Sequence, residues 1–133
     1  MDRLFLDANV LFSAAYRPDA GLLRLWKLKH ATLISSRYAF EEAKINLDEG
    51  DPRARLAHLA RRVELVEAGD MPVPCGIALP FKDRPILLAA IGARATHLLT
   101  GDVRHFGPYF GKKIEGITIL LPGEYLRNRI PQG

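Results

Sequence analysis

Short apolar runs alternate along the chain with longer segments in which apolar residues recur every three to four positions. The short runs predict β-strands, and the longer segments predict amphipathic helices. This alternation is typical of α/β proteins whose parallel sheet is covered by helices on both faces. The predicted strands are RLFLD (3–7), ATLISS (31–36), VELVE (63–67), THLLT (96–100) and GITILL (116–121).

Polar residues that favour helix starts stand before three of the predicted helices. Ser36 precedes RYAFEEAKINL, and Asp83 precedes RPILLAAIGARA. Asp51 is predicted to cap a third helix, because Pro52 after it suits the first helical position. Residues 68–82 hold three prolines and two glycines, which predicts a connecting loop.

Composition narrows the class of protein. The length of 133 residues, with 48% hydrophobic and 26% charged residues, predicts one globular domain over 1–133. The net charge of +4 gives a mild attraction to phosphate polyanions. Cys75 has no partner for an internal disulfide, which favours a reducing compartment. No apolar run approaches the roughly 20 residues that span a bilayer, so we expect a cytoplasmic protein with no membrane association.

Several acids stand where predicted strands end. Asp7 ends the first strand, and Asp102 follows the fourth. Ligand sites of open parallel sheets lie beyond the carboxyl ends of the strands, so both are site candidates. Each also has a local alternative, since Asp7 could only cap the next helix and Asp102 could be a turn residue.

Three further acids belong to predicted helices or their starts. Asp83 could serve only as a helix cap, and Glu41 with Glu42 could be a solvated pair. An acid one or two turns into a helix that follows a strand could also point back across the end of that strand. Taken singly, none of the three indicates a site.

Taken together, the acids indicate a metal centre. Carboxylates from four segments that meet at one sheet edge raise one another's pKa and destabilise the fold unless a cation neutralises them. Hard divalent ions such as Mg²⁺ or Mn²⁺ prefer oxygen ligands, and no cysteine and histidine cluster has the spacing of a zinc site. Such a site suits attack of water on a phosphodiester.

The sequence resembles the PIN domain, the nuclease fold of many VapC-type toxins. The resemblance covers nearly the whole chain and depends on the order and spacing of three segments: LFLDANVLFSA, SRYAFEEAKINL and KDRPILLAAIGARATHLLTGDVRHFG. It implies a three-layer α/β/α sandwich with a mainly parallel central sheet of four to five strands.

The family pattern also carries over residue by residue. Asn9 and Thr100 match the polar residues that brace the acids of the family site. Ser36 resembles the family serine that precedes the catalytic glutamate by six positions, so the pattern favours Glu42 over Glu41. The residues that would act in catalysis and bind the metal are Asp7, Glu42, Asp83 and Asp102.

The resemblance implies a function and partners as well. It implies an Mg²⁺- or Mn²⁺-dependent endoribonuclease in which water attacks an RNA phosphodiester, leaving a 5′-phosphate and a 3′-hydroxyl. It further implies the toxin of a type II toxin–antitoxin pair, restrained by a small antitoxin whose tail enters the acidic site. Self-association into a homodimer is expected on the same grounds.

The chain departs from the family pattern after Asp102. Many members carry a further acid there, whereas this chain reads VRHFG, so a second ion would be held less tightly or would bind only when substrate is present. His105 could donate a proton to the leaving oxygen, or could only form hydrogen bonds or contact RNA. The candidates for RNA binding in this segment are Arg104, His105, Lys112 and Lys113.

Two other features permit more than one interpretation. Aromatic residues alternate with the basic residues of VRHFGPYFGKK, which suits stacking of single-stranded RNA, but they could equally pack into the core, as we expect for Phe106. Arg55, His58 and Arg62 form a basic stripe that is either a solvated helix face or an extension of the phosphate track. Trp26 is expected in the core or at a partner interface.

Two rival functions remain to be weighed. A phosphatase of the haloacid dehalogenase type also places an Asp at the end of its first strand, but needs a second Asp where this chain has Asn9. A PIN-like module that binds RNA or a protein without cutting is favoured by the missing acid after Asp102. Such a module would have little reason to keep the four repulsive acids.

Overall fold

A computed structural model describes residues 1–129 of the chain, which form an α/β fold. The strands of this part are β1 (Asp2–Leu6), β2 (Ala31–Ser36), β3 (Glu64–Val66), β4 (His97–Leu99), β5 (Lys113–Ile114) and β6 (Ile117–Leu120). The α-helices are α1 (Ala8–Tyr16), α2 (Arg37–Asn46), α3 (Asp51–Ala60), α4 (Arg84–Gly92) and α5 (Pro122–Arg129). Short 3₁₀ helices cover Gly21–Lys27, Phe81–Asp83 and Gly107–Tyr109.

The strands form a single mixed sheet with the order β3-β2-β1-β4-β6-β5. All pairings are parallel except that of β5 with β6. The chain runs outward from β1 through β2 to β3, and then crosses back to place β4 on the other side of β1. The strand order therefore reverses between β1 and β4, where open α/β sheets form their ligand sites.

The core lies on both sides of this sheet. Leu4, Phe5 and Leu6 follow one another on β1, and all three are fully buried. Successive strand residues point to opposite faces, so both faces must be covered. This arrangement confirms the predicted α/β/α layering and the mainly parallel sheet.

The number of strands differs from the sequence prediction. Each of the five predicted strands is present, but the described residues form six strands instead of four to five. The additional strand, β5, turns back through Glu115 and Gly116, which have φ values of 52° and 82°, and pairs antiparallel with β6. Two residues are too few to produce a recognisable apolar alternation.

The predicted helix starts have different outcomes. Ser36 caps α2 as expected, because its Oγ accepts a hydrogen bond from the Ala39 amide at 3.1 Å. The prediction that Asp51 caps α3 is wrong: Gly50 holds the N-cap position with a φ of 97°, and Asp51 is the first helical residue. A positive φ favours glycine, so the backbone rather than an acidic side chain starts this helix. Asp83 precedes α4, but its side chain makes no capping bond.

Long-range contacts attach the remaining segments. Trp26 is half-buried against the core, and its indole N–H donates to the Leu59 carbonyl at 3.0 Å, which joins the 3₁₀ helix 21–27 to α3. Phe106 is fully buried, as expected for a core residue. Cys75 is exposed in the loop before the 3₁₀ helix 81–83. Within residues 1–129, none of the helices is both long and apolar enough to cross a membrane.

Candidate active site

A cavity of about 510 Å³ opens at the carboxyl ends of β1 and β4. Its walls come from the end of β1, from α2, from the 3₁₀ helix 81–83 and from the loop after β4. The four predicted acids all line it, and so do the predicted bracing residue Asn9 and a lysine: Asp7, Glu42, Asp83, Asp102, Asn9 and Lys82. Folding thus brings into one cavity four carboxyl groups that are far apart in the sequence.

Asp7 is a buried carboxylate with three hydrogen-bond donors. Its Oδ1 accepts from the Ala8 amide at 2.6 Å, and its Oδ2 accepts from Thr100 Oγ1 at 2.8 Å and from Asn9 Nδ2 at 3.2 Å. Asp7 therefore caps α1 and also lines the cavity.

The charge of Asp7 is nevertheless costly. Burial raises the pKa of the Asp7 carboxyl to about 6, even though the hydrogen bonds from Thr100 and the Ala8 amide act to lower it. The negative charges of Asp83 and Glu42 add to the increase. A cation in the cavity would offset this cost.

Thr100 and Asn9 connect the ends of β1 and β4. Thr100 Oγ1 accepts from the Asp102 amide at 3.0 Å while donating to Asp7, and it lies 3.3 Å from Asn9 Nδ2. Asn9 Oδ1 accepts from the Gly101 amide at 2.7 Å. A Cβ at Gly101 would lie 3.3 Å from this oxygen, so glycine leaves room for the contact. These bonds hold Asp7 and the Asp102 backbone in a fixed relation.

Asp83, Asp102 and His105 form the other side of the site. The His105 amide donates to Asp102 Oδ1 at 3.0 Å, and His105 Nδ1 lies 2.9 Å from Asp102 Oδ2 and 2.9 Å from Asp83 Oδ2. A single N–H on Nδ1 can point in line at only one of these oxygens. Among the described residues, Asp83 Oδ2 is buried, and it is left without a hydrogen bond.

The electrostatics of Asp83 resemble those of Asp7. Burial raises the pKa of the Asp83 carboxyl, the His105 imidazole lowers it, and the Asp102 charge raises it again. Lys82 is the next contributor and acts to lower the pKa. Burial and the neighbouring acid therefore outweigh the available positive groups.

These residues fit a divalent cation. One ligand atom each from Asp83, Asp102 and His105 lies within 4.8 Å of the other two. The unpartnered oxygen of Asp83 is the kind of buried acceptor that a cation satisfies. Carboxylate oxygens with one imidazole nitrogen are a donor set that suits divalent metals.

Glu41 and Glu42 lie on different sides of α2. Glu42 is half-buried and lines the acidic cavity, whereas Glu41 is exposed and lines a separate groove with Arg37 and Arg61. The Tyr38 hydroxyl donates to the Lys82 carbonyl at 2.8 Å and so ties the start of α2 to the turn that carries Asp83. Glu42, which the sequence pattern favours, is the glutamate that reaches the cavity.

The predicted RNA-binding residues are dispersed. Arg104 is exposed close to Asp102 in the chain, but His105 is turned inward to the acids. Lys112 and Lys113 are exposed at the β5 edge of the sheet, and β6 separates β5 from β4. Neither lysine lines the acidic cavity.

The aromatic residues of the same loop have structural roles. Tyr109 and Phe110 pack against the core, and the Tyr109 hydroxyl accepts a hydrogen bond from the Ala78 amide at 2.8 Å. Of the two interpretations of these rings, stacking on RNA or packing into the core, the structure shows packing against the core.

Sequence analysis missed other residues at the cavity. Lys82, Phe12 and Asn46 line it. Phe81, next to Lys82 in the chain, does not line the cavity; it is 82% exposed, and the Arg84 guanidinium lies 5.6 Å from its ring centre. The position of Lys82 next to Asp83 in KDRP is the one sequence signal that could have indicated its place at the cavity.

The basic stripe of α3 is divided between two roles. Arg55 Nε and Nη2 donate to the carbonyls of Ala15 and Tyr16, each at 2.9 Å, and so satisfy the end of α1. His58 and Arg62 are exposed and border a groove that Trp26 also lines. Arg55 is thus a structural residue, whereas His58 and Arg62 belong to the solvated face.

Comparison with solved structures shows that this chain has a PIN-like α/β fold. VapBC2 from Rickettsia felis, determined bound to a DNA fragment from its promoter, matches with a TM-score of 0.62 and 17% identity, over 88% of this chain and 96% of the other. VapBC-1 from nontypeable Haemophilus influenzae matches with a TM-score of 0.56 and 16% identity, over 91% and 98%. No protein-family model and no curated protein matches the sequence. The predicted resemblance to VapC-like PIN domains is confirmed at the level of the fold.

Proposed function

We propose that this protein is a PIN-type endoribonuclease that depends on Mg²⁺ or Mn²⁺. One observation carries the proposal: four carboxyl groups from four segments surround one cavity at the point where the strand order reverses. So repulsive a set is costly to a fold, which is consistent with a divalent cation that compensates it.

The described residues suggest a division of labour. Asp7, Asp83 and Asp102 hold the cation, and Glu42 orients the attacking water or completes the ligand set. Asn9 and Thr100 keep the Asp7 carboxylate in its orientation through the hydrogen bonds given above. A bound divalent ion lowers the pKa of the water and neutralises charge that develops on the phosphate. The bond from phosphorus to the 3′-oxygen breaks, which leaves a 5′-phosphate and a 3′-hydroxyl.

RNA would reach the acids along basic residues at the cavity rim. Lys82 lines the cavity, and the exposed Arg104 follows Asp102 closely. Both are suited to phosphate contacts that offset the repulsion between RNA and the acids. Lys112 and Lys113 would contact only an RNA that extends beyond the cavity to the β5 edge.

We further propose that the protein acts in the cytoplasm as the toxin of a type II toxin–antitoxin pair. The likeness in fold to VapBC proteins supports this role. A small antitoxin with a cationic tail would complement the acidic cavity, and self-association into a homodimer remains part of the proposal.

The direct test is cleavage of a structured RNA by the wild type and by Asp7→Asn in the presence of Mg²⁺ or Mn²⁺. Metal-assisted charge stabilisation is worth several kcal/mol, so we expect Asp7→Asn to lower the cleavage rate by about a thousandfold or more. New ends that carry 5′-phosphate would support the assigned bond. Equal cleavage by both proteins would reject the site, and equal growth of cells that express either protein would reject the toxin role.

A module that binds without cutting is the second candidate, and His105 favours it. Its Nδ1 lies 2.9 Å from oxygens of both Asp83 and Asp102, so a protonated imidazole can supply part of the positive charge that a cation would otherwise supply. A wild-type protein that binds RNA, shows no affinity for Mn²⁺ by calorimetry and leaves RNA intact would favour this candidate.

A further inference from the structure

His105 lies where a metal ligand would lie. Its Nδ1 is 2.9 Å from one oxygen of Asp102 and 2.9 Å from one oxygen of Asp83. Neighbouring ligands of an octahedral ion with bonds near 2.1 Å are about 3.0 Å apart. Nδ1 therefore lies at the distance from each of the two oxygens that neighbouring ligands of one small cation have, and ligand atoms of all three residues lie within 4.8 Å of one another.

The hydrogen-bond pattern leaves one acceptor open toward this point. Asp83 is only 8% exposed, and within residues 1–129 its Oδ2 is buried and accepts no hydrogen bond. Asp102 Oδ1 accepts from the His105 amide, which directs Oδ2 of the same carboxylate to the imidazole. A buried oxygen without a donor is destabilising unless a cation or a water satisfies it.

We propose that His105 is a metal ligand, in which Nδ1 joins one oxygen each of Asp83 and Asp102, and that it makes the site prefer first-row transition dications such as Mn²⁺ over Mg²⁺. The inference rests on the proposed metal-dependent nuclease and specifies its metal. Mg²⁺ takes oxygen ligands and retains its waters, whereas imidazole nitrogen adds affinity for transition ions. Binding through Nδ1 requires the neutral tautomer in which Nδ1 carries no proton and Nε2 carries the single ring proton.

The first experiment measures the wild type and then two histidine variants. Untagged protein is loaded with less than one equivalent of MnCl₂, and electron spin echo modulation is recorded. We expect modulation from a directly bound imidazole ¹⁴N, which disappears in His105→Ala and persists in His58→Ala, a control at an exposed histidine on α3. Bound Mn²⁺ without nitrogen modulation in the wild type would overturn the inference even if no variant folds.

The second experiment measures selectivity by calorimetric titration with MnCl₂ and with MgCl₂. We expect the wild type to bind Mn²⁺ at least about tenfold more tightly than Mg²⁺, and His105→Asp to reduce this preference by a similar factor because an oxygen replaces the nitrogen. Equal preference in the wild type and His105→Asp would overturn the inference alone. Failure of the wild type to bind either ion would overturn the proposed metal site as well.

Discussion

Asp7 and Asp83 are buried carboxylates of one cavity, but their surroundings differ. Three donors satisfy Asp7, from the Ala8 amide, Thr100 and Asn9. Among the described residues, Asp83 Oδ2 is buried and accepts no hydrogen bond, although His105 Nδ1 lies 2.9 Å from it and equally close to Asp102 Oδ2. The protein itself orients the Asp7 half, whereas the Asp83 half lacks a partner that a bound cation would supply. The site thus combines one carboxylate that hydrogen bonds hold in place with one that has an oxygen accepting no hydrogen bond.

The two halves also depend on different distances along the chain. Asp7, Ala8 and Asn9 are neighbours, and the adjacent strand β4 brings Thr100 to them. Asp83, by contrast, depends on the 3₁₀ helix 81–83, which Tyr38 on α2 ties in place through the Lys82 carbonyl. The fixed half therefore follows from one strand pairing, and the open half follows from loop packing.

The pH dependence of stability should reveal the cost of the charge on Asp7. Its pKa is about 6 in the folded protein and 3.8 ordinarily, so the folded state binds this proton more tightly than the unfolded chain. The metal-free protein should lose up to about 3 kcal/mol of unfolding free energy as pH rises from about 4 to 6, and should regain it on acidification. Urea unfolding in the presence of a chelator measures this slope.

Matched variants separate Asp7 from other acids. Asp7→Asn should remove most of the slope, whereas Asp19→Asn, which changes an exposed acid, should leave it unchanged. The remaining slope in Asp7→Asn is expected to have the same sign, because burial raises the pKa of Asp83 as well. An unaltered slope in Asp7→Asn would contradict the prediction that the buried Asp7 carboxyl causes the pH dependence of the unfolding free energy.

Adjacent glutamates of α2 provide a matched pair for activity. Glu42 lines the cavity and acts electrostatically on Asp7, whereas Glu41 lies on the other side of the helix. If Glu42 positions the attacking water, Glu42→Gln should slow RNA cleavage about a hundredfold, or by roughly 2.7 kcal/mol. Glu41→Gln should cleave at the wild-type rate. Equal rates for the two variants in a single-turnover assay would remove Glu42 from the mechanism.

Thr100→Val tests the hydrogen bonds that hold Asp7 in place, and its expected effect on stability is the smallest of these predictions. The change removes the donor to Asp7 Oδ2 and the acceptor of the Asp102 amide, and both groups lie in a largely buried site. Loss of unfolding free energy by about 2 kcal/mol is expected. Thr118→Val on β6 is the control, and we expect less than about 0.5 kcal/mol for that half-buried strand residue. Denaturant unfolding that shows equal losses would mean that Thr100 does not brace the acids.

Much of the fold follows from local patterns. Alternating strand and helix signals located the five predicted strands, and Ser36 marked the start of α2 through its own side chain. The positions of Asp7 and Asp102 at strand ends placed them at one edge of any parallel sheet. These features depend on residues within a few positions of one another, which is why a single sequence contains them.

Tertiary structure alone decided the rest. Reversal of the strand order between β1 and β4 made the cavity, and packing of the loop after β4 turned His105 toward the acids and left Lys112 and Lys113 at the far sheet edge. Gly50, not Asp51, starts α3 because of its backbone conformation. Which carboxylate oxygen is satisfied and which stays open depends on donors from distant segments. The sequence by itself therefore determined which acids are near strand ends, and long-range packing determined which partner each of them has.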